Sequence, residues 1–400
     1  VRAGKIVTVS ELGTIYDGAM IIRNGKIKHL LNWSIAKKRY PTLPVIDYSD
    51  YVITPSLIDC HTHLLEFAPG SLYPVTPETQ LQFGKSIIMQ ALLAGITAFG
   101  EQVCGHPAST FSISDYKNCV KDLPIDISFA ATSISIGFKE LAHFTSITEG
   151  RPVDKRDLIN RAILTEMARQ SDYPGENLFL NATPANFTNN MVPRAGELIY
   201  TKDELTEIVD LFHLYGKEIG VHVAGDEGIE MALDAGVDVL HHAHGITDQQ
   251  LKQAAKLGTK IIATPLGGTH LEPNSPDNIL QLVQHNIETS IATDAYLPPY
   301  PDVEWLPYDD SALKGPEVLM EIAHPAMKKL ADNGFNENDI LALITTNPAK
   351  LLGKADQFGR LDHGMDATFL VSEGIPGLEV TNPEKIRKVI FKGKPVVDRG

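Results

Sequence analysis

Eight short apolar segments rich in β-branched residues recur through the middle of the chain, at residues 52–58, 96–99, 125–136, 178–180, 219–223, 237–240, 260–264 and 289–293. Helical apolar spacing fills the intervals, for example at 79–94, 154–170, 202–215, 229–235, 248–257 and 276–285, and helices at 316–332 and 337–346 close the region. Strand and helix in strict succession demand a parallel sheet, because a parallel neighbour is reached only through a crossover. Eight such units over about 300 residues predict an α/β fold built on a closed (β/α)8 TIM barrel, in preference to an open doubly wound sheet.

The two ends of the chain differ from this middle. Short apolar runs at 5–9, 19–22 and 27–31 are separated by turn formers, with Asn24-Gly25 a hairpin signal, and runs at 367–371, 388–392 and 394–397 repeat the pattern. Neither end holds enough strands for a core of its own. The expectation is one small β-sandwich domain from residues 1–54 and 355–400, with the barrel, residues 55–354, inserted between them.

Composition narrows the functional classes. The chain is 43% apolar and 21% charged, as a globular protein is, and its 35 basic against 50 acidic residues leave a net charge of −15 without a basic stripe. That balance repels a phosphate backbone and argues against nucleic acid. The apolar stretch 86–95 is interrupted by Gln90 and falls short of the roughly 18 to 20 residues of a membrane span. Three cysteines (Cys60, Cys104, Cys119) cannot form a disulfide framework and suit a reducing compartment, so the cytoplasm is expected. Val1 is expected to be a trimmed end, having neither an initiator Met nor a secretion signal.

What matters among the 14 histidines is their place relative to the strands. His61 and His63 follow the first barrel strand, and residues i and i+2 of an extended segment share a side, so both imidazoles can reach one ion. His222 ends the fifth strand, His241, His242 and His244 end the sixth, and Asp294 follows the eighth. All stand at the C-terminal strand ends, the rim on which a (β/α)8 barrel gathers its reactive groups. Neutral imidazoles with a carboxylate suit a borderline divalent ion such as zinc, and an open coordination position would make hydroxide available near neutral pH. Asp294 then has two possible duties, holding the ion and carrying the proton from water to leaving group.

With His61-Thr62-His63, Gly95-Ile96-Thr97, His222-Val223-Ala224-Gly225, the Ala232-to-Asp238 run, Thr293-Asp294, the 346–353 segment and the closing 359–370 segment, the chain resembles the amidohydrolase superfamily of metal-dependent hydrolases over nearly its whole length. Within it the likeness is to imidazolonepropionase-like enzymes and Xaa-Pro dipeptidases. The resemblance implies the barrel with a split β-domain, a small-molecule substrate and a homo-oligomer. Two departures qualify it. Many binuclear members carry a carboxylated lysine at the end of strand four, where this chain aligns Asn181, and an amide cannot bridge two cations. One ion held by His61, His63, His222 and Asp294 is therefore expected over two, with Glu101 or Cys104 the candidates for an unusual bridge; some D-aminoacylase-like members use a cysteine near that place. At strand six relatives carry a single Glu-His-Gly, whereas this chain offers three histidines. Counting from Gly236-Val237-Asp238 favours His242 as ligand or oxyanion stabiliser, and the following glycine favours His244.

The remaining candidates weigh less. His213, His285 and His324, on helices, are expected to be ordinary hydrogen-bonded residues. His270 and His106 lie in loops that face the rim, so His270 is a candidate for substrate contact. Arg194 could pair a substrate carboxylate. Cys60 should pack into the wall, and Trp305 and Tyr308 more often anchor a loop than line a pocket. The expected reaction is metal-dependent hydrolysis of a cyclic amide, N-acyl amino acid or small dipeptide. The alternatives are deamination of a nucleobase-like ring, against which Gly225 stands where deaminases of the superfamily place a glutamate although Glu227 lies nearby, and a non-catalytic barrel scaffold.

Overall fold

Both ends of the chain meet in one sheet. In this computed structural model, which describes residues 1–66, 76–105, 111–137, 141–148, 151, 153–182 and 195–400, β1 (Arg2–Val7), β2 (Thr14–Arg23), β3 (Lys26–Asn32) and β4 (Asp47–Pro55) come from the N-terminal side. Asn24 and Gly25 both adopt positive φ, 53° and 71°, the backbone that a two-residue hairpin needs. A side chain on Gly25 would meet Lys392 O at 2.7 Å, so this hairpin tip packs directly on a turn from the far end of the sequence. Ala3, Ile6, Met20, Ile27 and Ile53 share a buried cluster with Leu361, Phe369, Val371 and Ile390.

Each of the eight expected apolar runs contributes a strand to one of two parallel sheets, but the bounds differ. β5 (Leu57–Thr62) is separated from β4 at Ser56, so the apolar run 52–58 feeds two sheets. β5, β6 (Ile96–Val103) and β7 (Asp126–Ala131) form a three-stranded parallel sheet. The run 125–136 divides at Thr132 into β7 and β8 (Ser133–Gly137), which pairs antiparallel with β9 (Leu141–Thr145). β10 (Leu178–Phe179), β11 (Gly220–Ala224), β12 (Val239–His244), β13 (Lys260–Ala263) and β14 (Thr289–Ile291) form a five-stranded parallel sheet. β15 (Phe369–Ser372), β16 (Ile386–Phe391) and β17 (Lys394–Asp398) then complete the outer sheet, whose order is β17-β16-β15-β4-β1-β2-β3.

β5, β6, β11 and β12 are buried at every residue, as strands covered on both faces must be. Hydrogen bonds also join the two parallel sheets at their edges. Asp294 N donates to His61 O at 3.1 Å and His63 N to Ala295 O at 2.6 Å, while Ser133 N donates to Asn177 O at 3.0 Å on the other side. The covering helices begin on Ser and Thr caps that the sequence supplies: Thr76, Ser112, Thr201, Thr247 and Ser275 each accept from the backbone N–H three residues on. The expected helix at 154–170 is two, Lys155–Leu158 and Arg161–Gln170, because the Asn160 side chain caps the second at Ala162 N. Among the described residues no helix is long and apolar enough to cross a membrane.

Candidate metal centre

The C-terminal ends of β5, β11 and β12 and the segment after β14 converge on one carboxylate, Glu176, which lies just before β10. His61 Nε2 and His63 Nε2 approach its Oε2 at 3.4 and 3.3 Å, and His222 Nδ1 and His242 Nε2 approach its Oε1 at 2.9 and 2.7 Å. Asp294 Oδ1 lies 3.1 Å from His61 Nε2 and 3.4 Å from His63 Nε2. The donor atoms of His61, Glu176 and His242 lie within 4.8 Å of one another, and so do those of His61, His63 and Asp294.

Asp59, fully buried, holds this arrangement across the sheet edge. Its carboxyl accepts from Thr293 Oγ1 at 2.5 Å, from Thr293 N at 3.2 Å and from His61 N at 3.4 Å, so it ties the chain beside Asp294 to the chain beside His61. Burial pushes the Asp59 carboxyl up to about 7 against these bonds.

The electrostatics divide the histidines into two groups. Burial disfavours charge on Glu176, but the His61 and His222 imidazoles beside it outweigh burial and hold its carboxyl well below 4.5. Burial likewise opposes a charge on His61, yet Glu176 and Asp294 push its imidazole up to about 10. Burial drives His241 and His244 down to about 3 and His242 well below 6.5, so these rings are neutral at pH 7.

The residues fit a divalent cation. Among the described residues His61 Nε2, His222 Nε2 and Glu176 Oε2 are buried and have no hydrogen-bond partner, although His61 and Glu176 have the close neighbours just described. Buried polar atoms left so are costly, and a set of imidazoles with two carboxylates is one that zinc and similar ions take.

The other expected site residues lie further back. Glu101 accepts from Thr62 Oγ1 and from Leu64 N and Leu65 N, at 2.7, 2.7 and 2.8 Å, and so braces the chain on either side of His63. Cys104 Sγ is 3.9 Å from His63 Nδ1, the ring nitrogen that faces away from Glu176, and burial raises its thiol. The two bridging candidates thus back His63 and do not join either group of donor atoms. Asn181 bonds Gly196 O and Ala224 N and is no part of the centre. His241 faces His61 Nδ1 at 3.0 Å and Pro174 O at 3.2 Å. His244 has both nitrogens on threonines, Thr269 and Thr264, and stands a layer behind His242. His270 packs against Gly196, with its Nδ1 buried and unpartnered among the described residues. Glu227 is exposed on the first turn of Asp226–Ala235. Arg194 and His106 lie outside the described residues.

Glu176 is the residue that sequence reasoning missed. Its only mark is a lone carboxylate in Tyr173-Pro174-Gly175-Glu176-Asn177, ahead of a strand and not at its end.

Comparison with known proteins shows the fold and the family. An imidazolonepropionase of Bacillus velezensis is 21% identical over 98% of this chain and 92% of its own. Another, from Pyrobaculum arsenaticum, is 38% identical over 73 residues, 16% of this chain and 18% of its own. The solved structure of a Xaa-Pro dipeptidase with bound methionine in the active site has the same fold, with a TM-score of 0.72 at 16% identity over 98% of each chain. Residues 52–396 match the amidohydrolase family, and the chain belongs to it, as a metal-dependent hydrolase of carbon–nitrogen bonds.

Proposed function

We propose that the chain hydrolyses a small carbon–nitrogen substrate, a cyclic amide, an N-acyl amino acid or a dipeptide, at the centre around Glu176. The observation that carries this is the division of one carboxylate between two sets of imidazoles. His61, His63 and Asp294 with Glu176 Oε2 would hold one divalent ion, most simply zinc, and His222 and His242 with Glu176 Oε1 would hold a second. Glu176, a carboxylate encoded in the chain, supports two ions in place of the single one expected. Bound there, such an ion supplies Lewis acidity, which brings water near a pKa of about 7 and polarises a carbonyl.

The chain's own groups do the rest. Asp294 has one oxygen toward His61 and His63 and the other, Oδ2, against Gly268. Oδ2 accepts a proton from the attacking water and returns it to the leaving nitrogen. His270, with its Nδ1 unpaired among the described residues, is the candidate for contact with the substrate, and Arg194 for a substrate carboxylate. The two parallel sheets read best as one closed (β/α)8 barrel over residues 55–354, with residues 1–54 and 355–400 as the β-sandwich domain; the hydrogen bonds at both sheet edges support this. A homo-oligomer in the cytoplasm goes with the same reading.

Against ring deamination stands the glutamate that the resemblance would call for just after the strand-five histidine: Gly225 occupies that position and nearby Glu227 is exposed. A screen of N-acyl amino acids, dipeptides, cyclic amides and aminopurines with zinc- or manganese-loaded protein tests the choice. New carboxylate is the expected product, and Asp294→Asn should lower kcat by about 100- to 10,000-fold. Ammonia released from an aminopurine without carboxylate would overturn the hydrolytic reading. A protein that retains no stoichiometric metal would point to a scaffold.

A further inference from the structure

The turn after β13 carries a buried hydroxyl that two of the three strand-six histidines, His242 and His244, share. Thr264 Oγ1 lies 2.7 Å from His242 Nδ1, 3.1 Å from His244 Nε2 and 2.8 Å from Gly267 O. A hydroxyl has one proton to give and two lone pairs to share. Gly267 O can only accept, so it takes the Thr264 proton, and the two imidazole nitrogens are left to donate. His242 then carries its proton on Nδ1. Its Nε2 is a bare lone pair, 2.7 Å from Glu176 Oε1.

The neighbouring groups agree with this direction. Thr269 Oγ1 lies 2.7 Å from His244 Nδ1 and accepts from Leu271 N at 3.1 Å, so its own proton is free to go to His244 Nδ1. His244 Nε2–H is then the donor on the side where the Thr264 hydroxyl, the Thr264 backbone and the Asn274 side chain lie. If Thr264 gave its proton to His242 instead, Nε2–H would close a hydrogen bond to Glu176 and withdraw both atoms from coordination.

We propose that Thr264 is a positioning residue, which fixes His242 as the Nδ1–H tautomer and so presents Nε2, beside Glu176 Oε1, to a divalent ion, with His244 bracing the hydroxyl from behind. The proposal rests on the metal reading above and deepens it. A lone pair facing a carboxylate oxygen at this distance is repulsive until a cation is shared between them. The hydroxyl thereby makes the pair a metal-binding one. Partners that orient a ligating histidine in this way are commonly worth 10- to 100-fold in metal affinity.

The test compares the parent with Thr264→Val, which keeps the shape and removes the hydroxyl, and with Thr264→Ser, which restores it. Chelator competition with zinc or cobalt should show about 10- to 100-fold weaker binding of one ion in Thr264→Val and recovery in Thr264→Ser. Nitrogen-15 spectra of histidine-labelled, metal-loaded parent should show His242 protonated on Nδ1. Equal affinity in parent and Thr264→Val overturns the positioning role and leaves the metal reading standing. A His242 protonated on Nε2 in the loaded parent overturns it also, and needs no variant to fold. A parent that takes up no ion overturns both.

Discussion

Glu176 shows how one side chain can organise a centre and still escape a strand-by-strand reading. Its peptide lies in a tight turn: Gly175 N bonds Tyr173 O and Asn177 N bonds Gly175 O, both across two residues. Such turns break the alternation of an extended chain, so the two-residue period of β10 does not extend back to position 176. The backbone N–H of Glu176 is held by Gln102 Oε1 at 3.0 Å, which fixes the side chain toward the four imidazoles. Glu176→Gln keeps the volume and removes the charge. It should weaken ion binding by at least 100-fold, because the loss falls on a ligand and not on its support. Chelator competition would read this, and an unchanged affinity would remove Glu176 from the centre. His61, His63, His222 and Asp294 were legible because a strand end fixes where a side chain points. Glu176 was not, because only tertiary packing decides where a turn aims its side chain.

At the level of elements, the end of β12 and the turn after β13 decide which histidine does what. A regular strand would send His241 and His242 to opposite faces. Here the register with β11 slips between Val223 and Ala224, and His242 and Ala243 take positive φ, 71° and 48°. The extra residue is a bulge, and it lets His241 face His61 while His242 faces Glu176. Counting along the sequence left His242 and His244 both open, since a bulge has no firm sequence signal. Gly268, at φ 112°, passes over the result: a Cβ there would stand 2.1 Å from Asp294 Oδ2 and 2.6 Å from His242 Cε1. Gly268→Ala must therefore push the turn or Asp294 aside by about an ångström, a misplacement worth on the order of 100-fold in kcat/KM. Steady-state kinetics would check it, and a variant as active as the parent would mean that this turn does not cover the reacting groups.

For the molecule as a whole, the centre lies where the two parallel sheets meet, with His61 and His63 from one side and Asp294 from the other. Its ion should hold that edge, and loading should change how stability depends on pH. In metal-stripped protein His61 has a folded value of about 10 against 6.5, so its contribution is full below pH 6.5 and is lost as pH rises to 10. Asp59, Glu66 and Glu101, each raised by burial to about 7, add stability only in acid and lose it between about pH 4 and 7. Glu176 runs the other way: held below 4.5, it contributes above that pH and loses the contribution as acid protonates it. His241, His242 and His244, held neutral well below 6.5, gain stability up to that pH and offset the three carboxyls, so stripped protein should be nearly level in mild acid and decline from about pH 6.5 toward pH 10, with His61 alone worth a few kcal/mol at about 1.4 kcal/mol per unit. A bound ion takes the place of the His61 proton. Calorimetric Tm curves of chelator-stripped and zinc-loaded protein should therefore diverge above pH 6.5, the loaded one staying level while the stripped one falls. Uptake of zinc at pH 7 should also release protons, visible as a dependence of the binding heat on buffer ionisation. Parallel curves, or a binding heat indifferent to buffer, would mean that His61 holds no proton for an ion to displace.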